Sequence, residues 1–384
     1  MNRLLLSLCA AASWGSASAQ PGPDFYKPSL DLTPKMQVVF ALDCTGSMSG
    51  LIQTAKDKIW TIASSLAQSE QQLDIEIGLV AYRDRGDAFV TQVTDLNADL
   101  DYVYNQLIQL RAAGGGDGPE SVNQALNDAI HRVDWSASPL AVKTVFLVGD
   151  CAPHMDYEEK QYPELCQEAG QQGITINTIL MGSNGAAEPH WTTIAYATNG
   201  DFFSVGMDAN NVAVTTPFDK RIRELNMQLD GTRLYYGSEA QVSEAEEDAE
   251  LDLQMYNGLD DAAIARRSAF NFSEAGMSNQ YQRNELLNNL VNGTVSLDAI
   301  DVEQLPGSLQ AMSESAREEY VKELLEERKA LEEELRETIA KREAHVVEVV
   351  TTDQAKSGFA GKVWSSLRKQ AKANSVDLPE AVKY

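Results

Sequence analysis

Three oxygen-bearing side chains, Asp43, Thr45 and Ser47, alternate along one short stretch of the 384-residue chain, MQVVFALDCTGSMS from Met36 to Ser49. At that spacing they can converge on one point, with Gly46 supplying the turn. One carboxylate and two hydroxyls form a hard, all-oxygen set. Such a set suits Mg²⁺, with Mn²⁺ or Ca²⁺ as substitutes, and leaves coordination positions for water or a partner's oxygen.

These residues must be held by something rigid. Val38 to Leu42 is an apolar run long enough for a strand buried on both faces, and it stops at Asp43. Another apolar strand, VFLVG within Lys143–Gly149, ends in the same way at Asp150. Neighbouring strands that both end in carboxylates are the expected geometry of one metal site. Open α/β sheets bind ligands at that edge.

The remaining elements fall in order. Helical spacing of Leu51, Ile52, Ala55, Ile59, Ile62 and Leu66 predicts a helix ending near Gln68. Ile75 to Tyr82 reads as a strand, with Ala88 to Val93 pairing beside it after the turn Arg83-Asp84-Arg85-Gly86-Asp87. The tripeptide Arg85-Gly86-Asp87 reads as turn chemistry rather than as an integrin ligand. A helix from about Asp99 to Leu110 leads into GGGDGPE, residues 114–120, where Pro119 opens a helix running to about Val133. A helix over Tyr157–Gly170, a strand over Ile174–Leu180, a short helix around Trp191 and a strand over Phe202–Val205 complete the pattern. Alternating strands and helices imply a doubly wound, mostly parallel six-stranded α/β sheet.

The three loops, Asp43-x-Thr45-x-Ser47, GGGDGPE and VFLVGD, occur in the order and approximate spacing of a von Willebrand factor A domain, which the segment from about Lys35 to Met207 resembles. The resemblance implies a metal-ion-dependent adhesion site. Asp43, Thr45 and Ser47 would form its first loop and Asp150 its third. Asp117 stands where the family usually offers a threonine, a form found in a subset of bacterial and intracellular members. Three carboxylates around a divalent ion would hold it well, yet make it a weaker electrophile for an acidic ligand.

The ends of the chain read differently. Arg3, the run Leu4 to Leu8 and Ala17-Ser18-Ala19 resemble a secretory signal peptide over residues 1–19, followed by a proline-bearing tether over 20–34. The expected location is therefore secreted or periplasmic. A net charge of −26 argues against nucleic acid or an anionic membrane as partner and favours cations or a basic protein surface. Cys44 and Cys151 each follow a loop aspartate on neighbouring strands, so a Cys44–Cys151 disulfide is expected, with Cys151–Cys166 as the competing pair. His131, His190 and His345 lack zinc spacing, and His154 belongs to a turn before it is a ligand.

From about residue 208 the composition turns to helix formers, and an all-helical C-terminal region over 208–384 is expected. The acidic stretch Ser238–Leu253 reads as a solvated face. Asn271-Phe272-Ser273 and Asn292-Gly293-Thr294 spell glycosylation sequons, relevant only in a eukaryotic secretory route. The longest helical signal, Ser315–Val350, carries an apolar stripe through Val321, Leu325, Leu335, Ile339 and Val346. Arg328, Arg342 and His345 interrupt its heptads, so packing within the region is expected over a self-associating coiled coil. The basic stretch Arg368–Lys372 is expected to cover the acidic helices.

The leading functional expectation is a secreted, non-enzymatic protein whose bound cation engages a carboxylate of a protein partner. Two alternatives remain. One is an accessory subunit of a larger, chelatase-like assembly, for which no P-loop is present in this chain. The other is a Mg²⁺-dependent phosphatase with Asp43 as nucleophile, resembling the haloacid dehalogenases. Those enzymes need a second acid where Thr45 stands, and a positioned lysine.

Overall fold

A computed structural model describes residues 34–69, 73–116, 118–206, 214–273, 284–349, 359–380 and 382. The expected signal peptide, the expected tether up to residue 33 and Asp117 lie outside these residues.

Among the described residues six strands form one sheet in the order β3-β2-β1-β4-β5-β6. They are β1 (Lys35–Asp43), β2 (Asp74–Tyr82), β3 (Thr91–Asn97), β4 (Val142–Gly149), β5 (Ile174–Met181) and β6 (Phe202–Val205). All neighbours run parallel except β2 and β3, which pair antiparallel. β3 begins at Thr91, later than the sequence suggested. The preceding residues are used otherwise: Val90 accepts from the Arg83 amide at 2.9 Å, and the Phe89 ring sits 4.5 Å beneath the Arg83 guanidinium.

Period-two alternation in β1 sends side chains into two apolar layers. Met36, Val38, Phe40 and Leu42 face a layer built with α1 (Ile52–Ala67) and α2 (Leu100–Gln109). Val39 and Ala41 face the other, with α3 (Val122–His131), α4 (Tyr162–Gln171) and α5 (Glu188–Ala197). β1 is covered on both sides, which is why its sequence is continuously apolar.

The helical region follows β6 and comprises α6 (Asp219–Asp230), α7 (Glu239–Gly258), α8 (Asp261–Asn271), α9 (Leu286–Val291), α10 (Gly307–Gln310) and the long α11 (Glu314–Val349). α11 serves two small cores. Leu335 and Ile339 pack with Ile222, Leu225 and Leu229 of α6, while Val321 packs with Leu286 and Leu287 of α9. The arginines that break its heptads are buried in ion pairs. Arg328 donates through Nη1 to Glu285 Oε2 at 2.8 Å, and Arg342 through Nε to Asp219 Oδ1 at 2.9 Å. α11 therefore packs within its own chain, as its interrupted stripe suggested.

The final helix, α12 (Phe359–Ala373), leaves that region and returns to the sheet. Ala360, Val363, Trp364, Leu367 and Ala371 join the α1 side of the core. The expectation that this basic helix covers acidic helices is corrected: its apolar face is taken by the sheet layer, Lys369 pairs with Asp201 at 3.1 Å, and Ser366 donates to the same carboxylate at 2.7 Å. The helices α6–α11 are thus inserted between β6 and the helix that closes the sheet.

Among the described residues no helix is long and apolar enough to cross a membrane. Cys44, Cys151 and Cys166 are free thiols, so neither expected disulfide forms. Cys44 points into the α1 layer and donates to the Leu42 carbonyl at 3.6 Å, whereas Cys166 lies in the opposite layer, donating to Ile194.

Candidate metal centre

Parallel register brings the ends of β1 and β4 together, so Asp43 and Asp150 emerge side by side past the sheet edge. After Asp43 the chain turns through Gly46–Gly50, a short 3-10 helix, before α1 begins. Gly46 has to be small: a Cβ there would stand 2.8 Å from the Gly114 carbonyl, to which the Gly46 amide donates at 3.0 Å. The Ala113 amide donates to Cys44, so first and second loops are tied by their backbones.

The three oxygen-bearing residues of the first loop do converge, and Asp150 joins them. Thr45 donates from its amide and from its hydroxyl to Asp43 Oδ1, at 2.8 and 2.7 Å. The Thr45 and Ser47 hydroxyl oxygens are 3.0 Å apart, and Ser47 donates to Asp150 Oδ1 at 2.8 Å. This row has three oxygen–oxygen contacts between two carboxylates, and the two hydroxyls own one proton each. With both acids ionised, one contact lacks a proton. A cation or an added proton would relieve that contact.

The electrostatics agree with the count. Burial pushes the Asp43 carboxyl up to about 7, with the Asp150 charge adding to it and the Thr45 bonds opposing. Asp43 Oδ2 is buried without a hydrogen-bond partner, as is the Tyr82 hydroxyl nearby. Both stand around Gly149, whose absent Cβ would lie 2.9 Å from Asp43 Oδ2 and 2.4 Å from the Tyr82 oxygen. Hard oxygen donors with an orphaned buried carboxylate oxygen fit a divalent cation. Among the described residues, no three Asp, Glu, His or Cys side chains already converge as a ready-made cage.

Neighbouring loops hold the row in place. Asp84 accepts from Ser121 at 2.9 Å and from the Tyr157 hydroxyl at 3.0 Å, joining the segments that follow β2, precede α3 and follow β4. His154 stacks on Tyr157 with ring centres 3.9 Å apart and bonds Asp156 through Nδ1, so it braces the rim. The Arg85-Gly86-Asp87 turn is engaged at both ends. Arg85 pairs with Glu159 at 2.6 Å over the Tyr157 ring, and Asp87 Oδ2 accepts from Gly115 at 2.9 Å. Gly114 and Gly115 take φ values of +79° and +71°, which favours glycine in this loop.

Sequence reading missed Glu120, which is only 2 % exposed. Burial, followed by the charges of Asp43 and Asp84, pushes its carboxyl up to about 8. The acid of GGGDGPE looks from sequence like an ordinary helix-start glutamate. What distinguishes it is a bridge to Pro153, more than thirty residues away.

A doubly wound sheet with acids and hydroxyls gathered past the carboxyl ends of its central strands defines a class, the Rossmann-like α/β domains. Within that class, residues 37–200 match the family described as von Willebrand factor A domain. Among curated proteins the chain is 30% identical over 146 residues to "Alpha-protein kinase vwkA" of Dictyostelium discoideum, covering 38% of this chain and 23% of that protein. It is 31% identical over 141 residues to human "von Willebrand factor A domain-containing protein 7", covering 36% and 14%. The chain thus spans less than a quarter of the length of these relatives. Solved structures with local likeness include proximal thread matrix protein 1 of the mussel byssus with a zinc-occupied MIDAS motif, at 15% identity, TM-score 0.38, and 46% and 43% coverage. The SpRpn10 VWA domain matches at 12% identity and TM-score 0.36, over 48% of this chain and 96% of that one.

Proposed function

We propose that this protein is a secreted, non-enzymatic binding protein whose von Willebrand factor A domain holds a divalent cation, Mg²⁺ first, through Asp43, Thr45, Ser47, Asp117 and Asp150. The observation that carries this reading is the proton-deficient row from Asp43 to Asp150, in which Thr45 and Ser47 lie 3.0 Å apart and both hydroxyl protons are drawn toward carboxylates. A cation there would answer the deficit and keep a position open toward solvent beside Ser47, which is exposed. A partner's carboxylate is the ligand such an ion would take. Export would follow from the leader-like residues 1–19, and the domain form with GGGD-x-PE suits a bacterial secreted protein.

Calorimetry on residues 20–384 with Mg²⁺, Mn²⁺ and Ca²⁺, beside Asp43→Ala, tests the site. Binding by the parent and its loss in the variant support the reading, and absence of binding to the parent removes it. A glutamate-containing peptide added with and without Mg²⁺ then tests the carboxylate step, which fails if the ion makes no difference.

A further inference from the structure

Glu120 is buried just before α3, at a position that the start of a helix does not explain. Its amide donates to the Ala152 carbonyl at 2.9 Å, and its carbonyl accepts from the His154 amide at 3.1 Å. These two bonds lay the second loop against the third. The side chain is thereby fixed beside the first loop: a Cβ on Gly115 would stand 3.1 Å from Glu120 Oε1 and 3.4 Å from the Thr45 Cβ. Only a glycine at 115 leaves these two side chains room to face each other.

The decisive atom is Glu120 Oε2, which is buried and has no hydrogen-bond partner. A buried carboxylate oxygen in that state carries an uncompensated desolvation cost, and native structures seldom retain one without a use. Asp43 Oδ2, on the neighbouring loop, is orphaned in the same way. Two such oxygens from two different loops, on acids that both adjoin Thr45, point to one missing positive charge.

We infer that Glu120 supplies a buried carboxylate oxygen from the second loop to the cation held by Asp43, Thr45, Ser47 and Asp150, making it an affinity-determining ligand of that site. This rests on the metal-site reading above. Asp43, Glu120 and Asp150 do not already form a cage among the described residues, so the proposal requires the three carboxylates to draw closer around the ion. A further anionic oxygen raises the site's charge toward the ion and so favours tight retention.

The test uses the full mature chain and Mn²⁺ as probe, read by electron paramagnetic resonance of free Mn²⁺ and by calorimetry. Glu120→Gln keeps the shape and loses the charge. It is expected to weaken Mn²⁺ binding at least tenfold, with an unchanged melting temperature in EDTA. Parent-like affinity in Glu120→Gln, beside a weakened Ser47→Ala, overturns the role of Glu120 and leaves the metal site standing. No Mn²⁺ binding by the parent overturns both. Carboxyl ¹³C-glutamate labelling of the parent covers the case in which the variant does not fold. Paramagnetic broadening of the Glu120 signal at low Mn²⁺ supports the assignment, and a sharp signal at saturation overturns it.

Discussion

Ser47 reaches Asp150 across 103 positions of sequence, its hydroxyl 2.8 Å from Oδ1, and so ties the first loop to the third. Ser47 is exposed, and its side chain contributes little burial. Ser47→Ala is therefore expected to lower cation affinity at least tenfold while moving the melting temperature in EDTA by no more than about 1 °C, in line with ordinary surface substitutions. Calorimetry and a thermal melt on one preparation check both halves.

Gly149 is the tightest place under the site. A methyl group there would collide with the Tyr82 hydroxyl and with Asp43. Gly149→Ala should cost about 1–3 kcal/mol in unfolding free energy and abolish Mg²⁺ binding, since overpacking displaces the residues that line the row. A urea titration measures the first effect. If the variant binds Mg²⁺ normally, the spacing between β1 and β4 does not set the site.

Arg342 is 1 % exposed and pairs with Asp219, whose carboxylate also accepts from the Thr216 hydroxyl at 2.7 Å. Removing one partner of a buried pair strands the other charge. Arg342→Ala is expected to destabilise the protein by roughly 3–5 kcal/mol, and Arg342→Met with Asp219→Leu to recover much of that loss. Chemical denaturation of the single and double variants decides between a pair that specifies packing and one that merely tolerates burial.

Lys56 is buried and donates to the carbonyls of Ile108 and Leu110 at the end of α2. Burial, assisted by the Arg111 charge, pushes its pKa from 10.5 down to about 8. A base with a lowered folded pKa binds fewer protons folded than unfolded between those values, so its contribution to stability rises with pH across that window. Relative to Lys56→Met, the parent should gain on the order of 1–2 kcal/mol between pH 7.5 and 9.5. A flat difference would mean that Lys56 stays charged.

Much of this was legible in the sequence, for identifiable reasons. Strands β1 and β4 announce themselves because both faces are covered and both end in aspartate. The first ligand loop is legible because a three-residue alternation is local. Glu120 is not, since its distinction comes from the bridge to Pro153 and from the space left at Gly115. Arg328 and Arg342 were visible as anomalies, but their partners Glu285 and Asp219 are far away in sequence. The Cys44–Cys151 pairing failed because proximity of strands does not fix which way a thiol points.

Trp364 is fully enclosed on the α1 side of the sheet, with its indole donating to the Pro379 carbonyl at 2.9 Å. Trp364→Ala should cost about 3–5 kcal/mol, measurable by denaturation and felt at the sheet domain despite the intervening helices.

The return of α12 to the sheet also imposes an order on synthesis. A ribosome that has released everything through β6 has made all six strands with α1 to α5, yet the part of one flank that α12 covers stays bare until some 150 further residues have emerged. The nascent sheet must wait, its α1-side layer lacking Val363, Trp364 and Leu367. The helical insertion has time to form first, so a stalled or prematurely terminated chain would present a folded helical segment beside an open, aggregation-prone face.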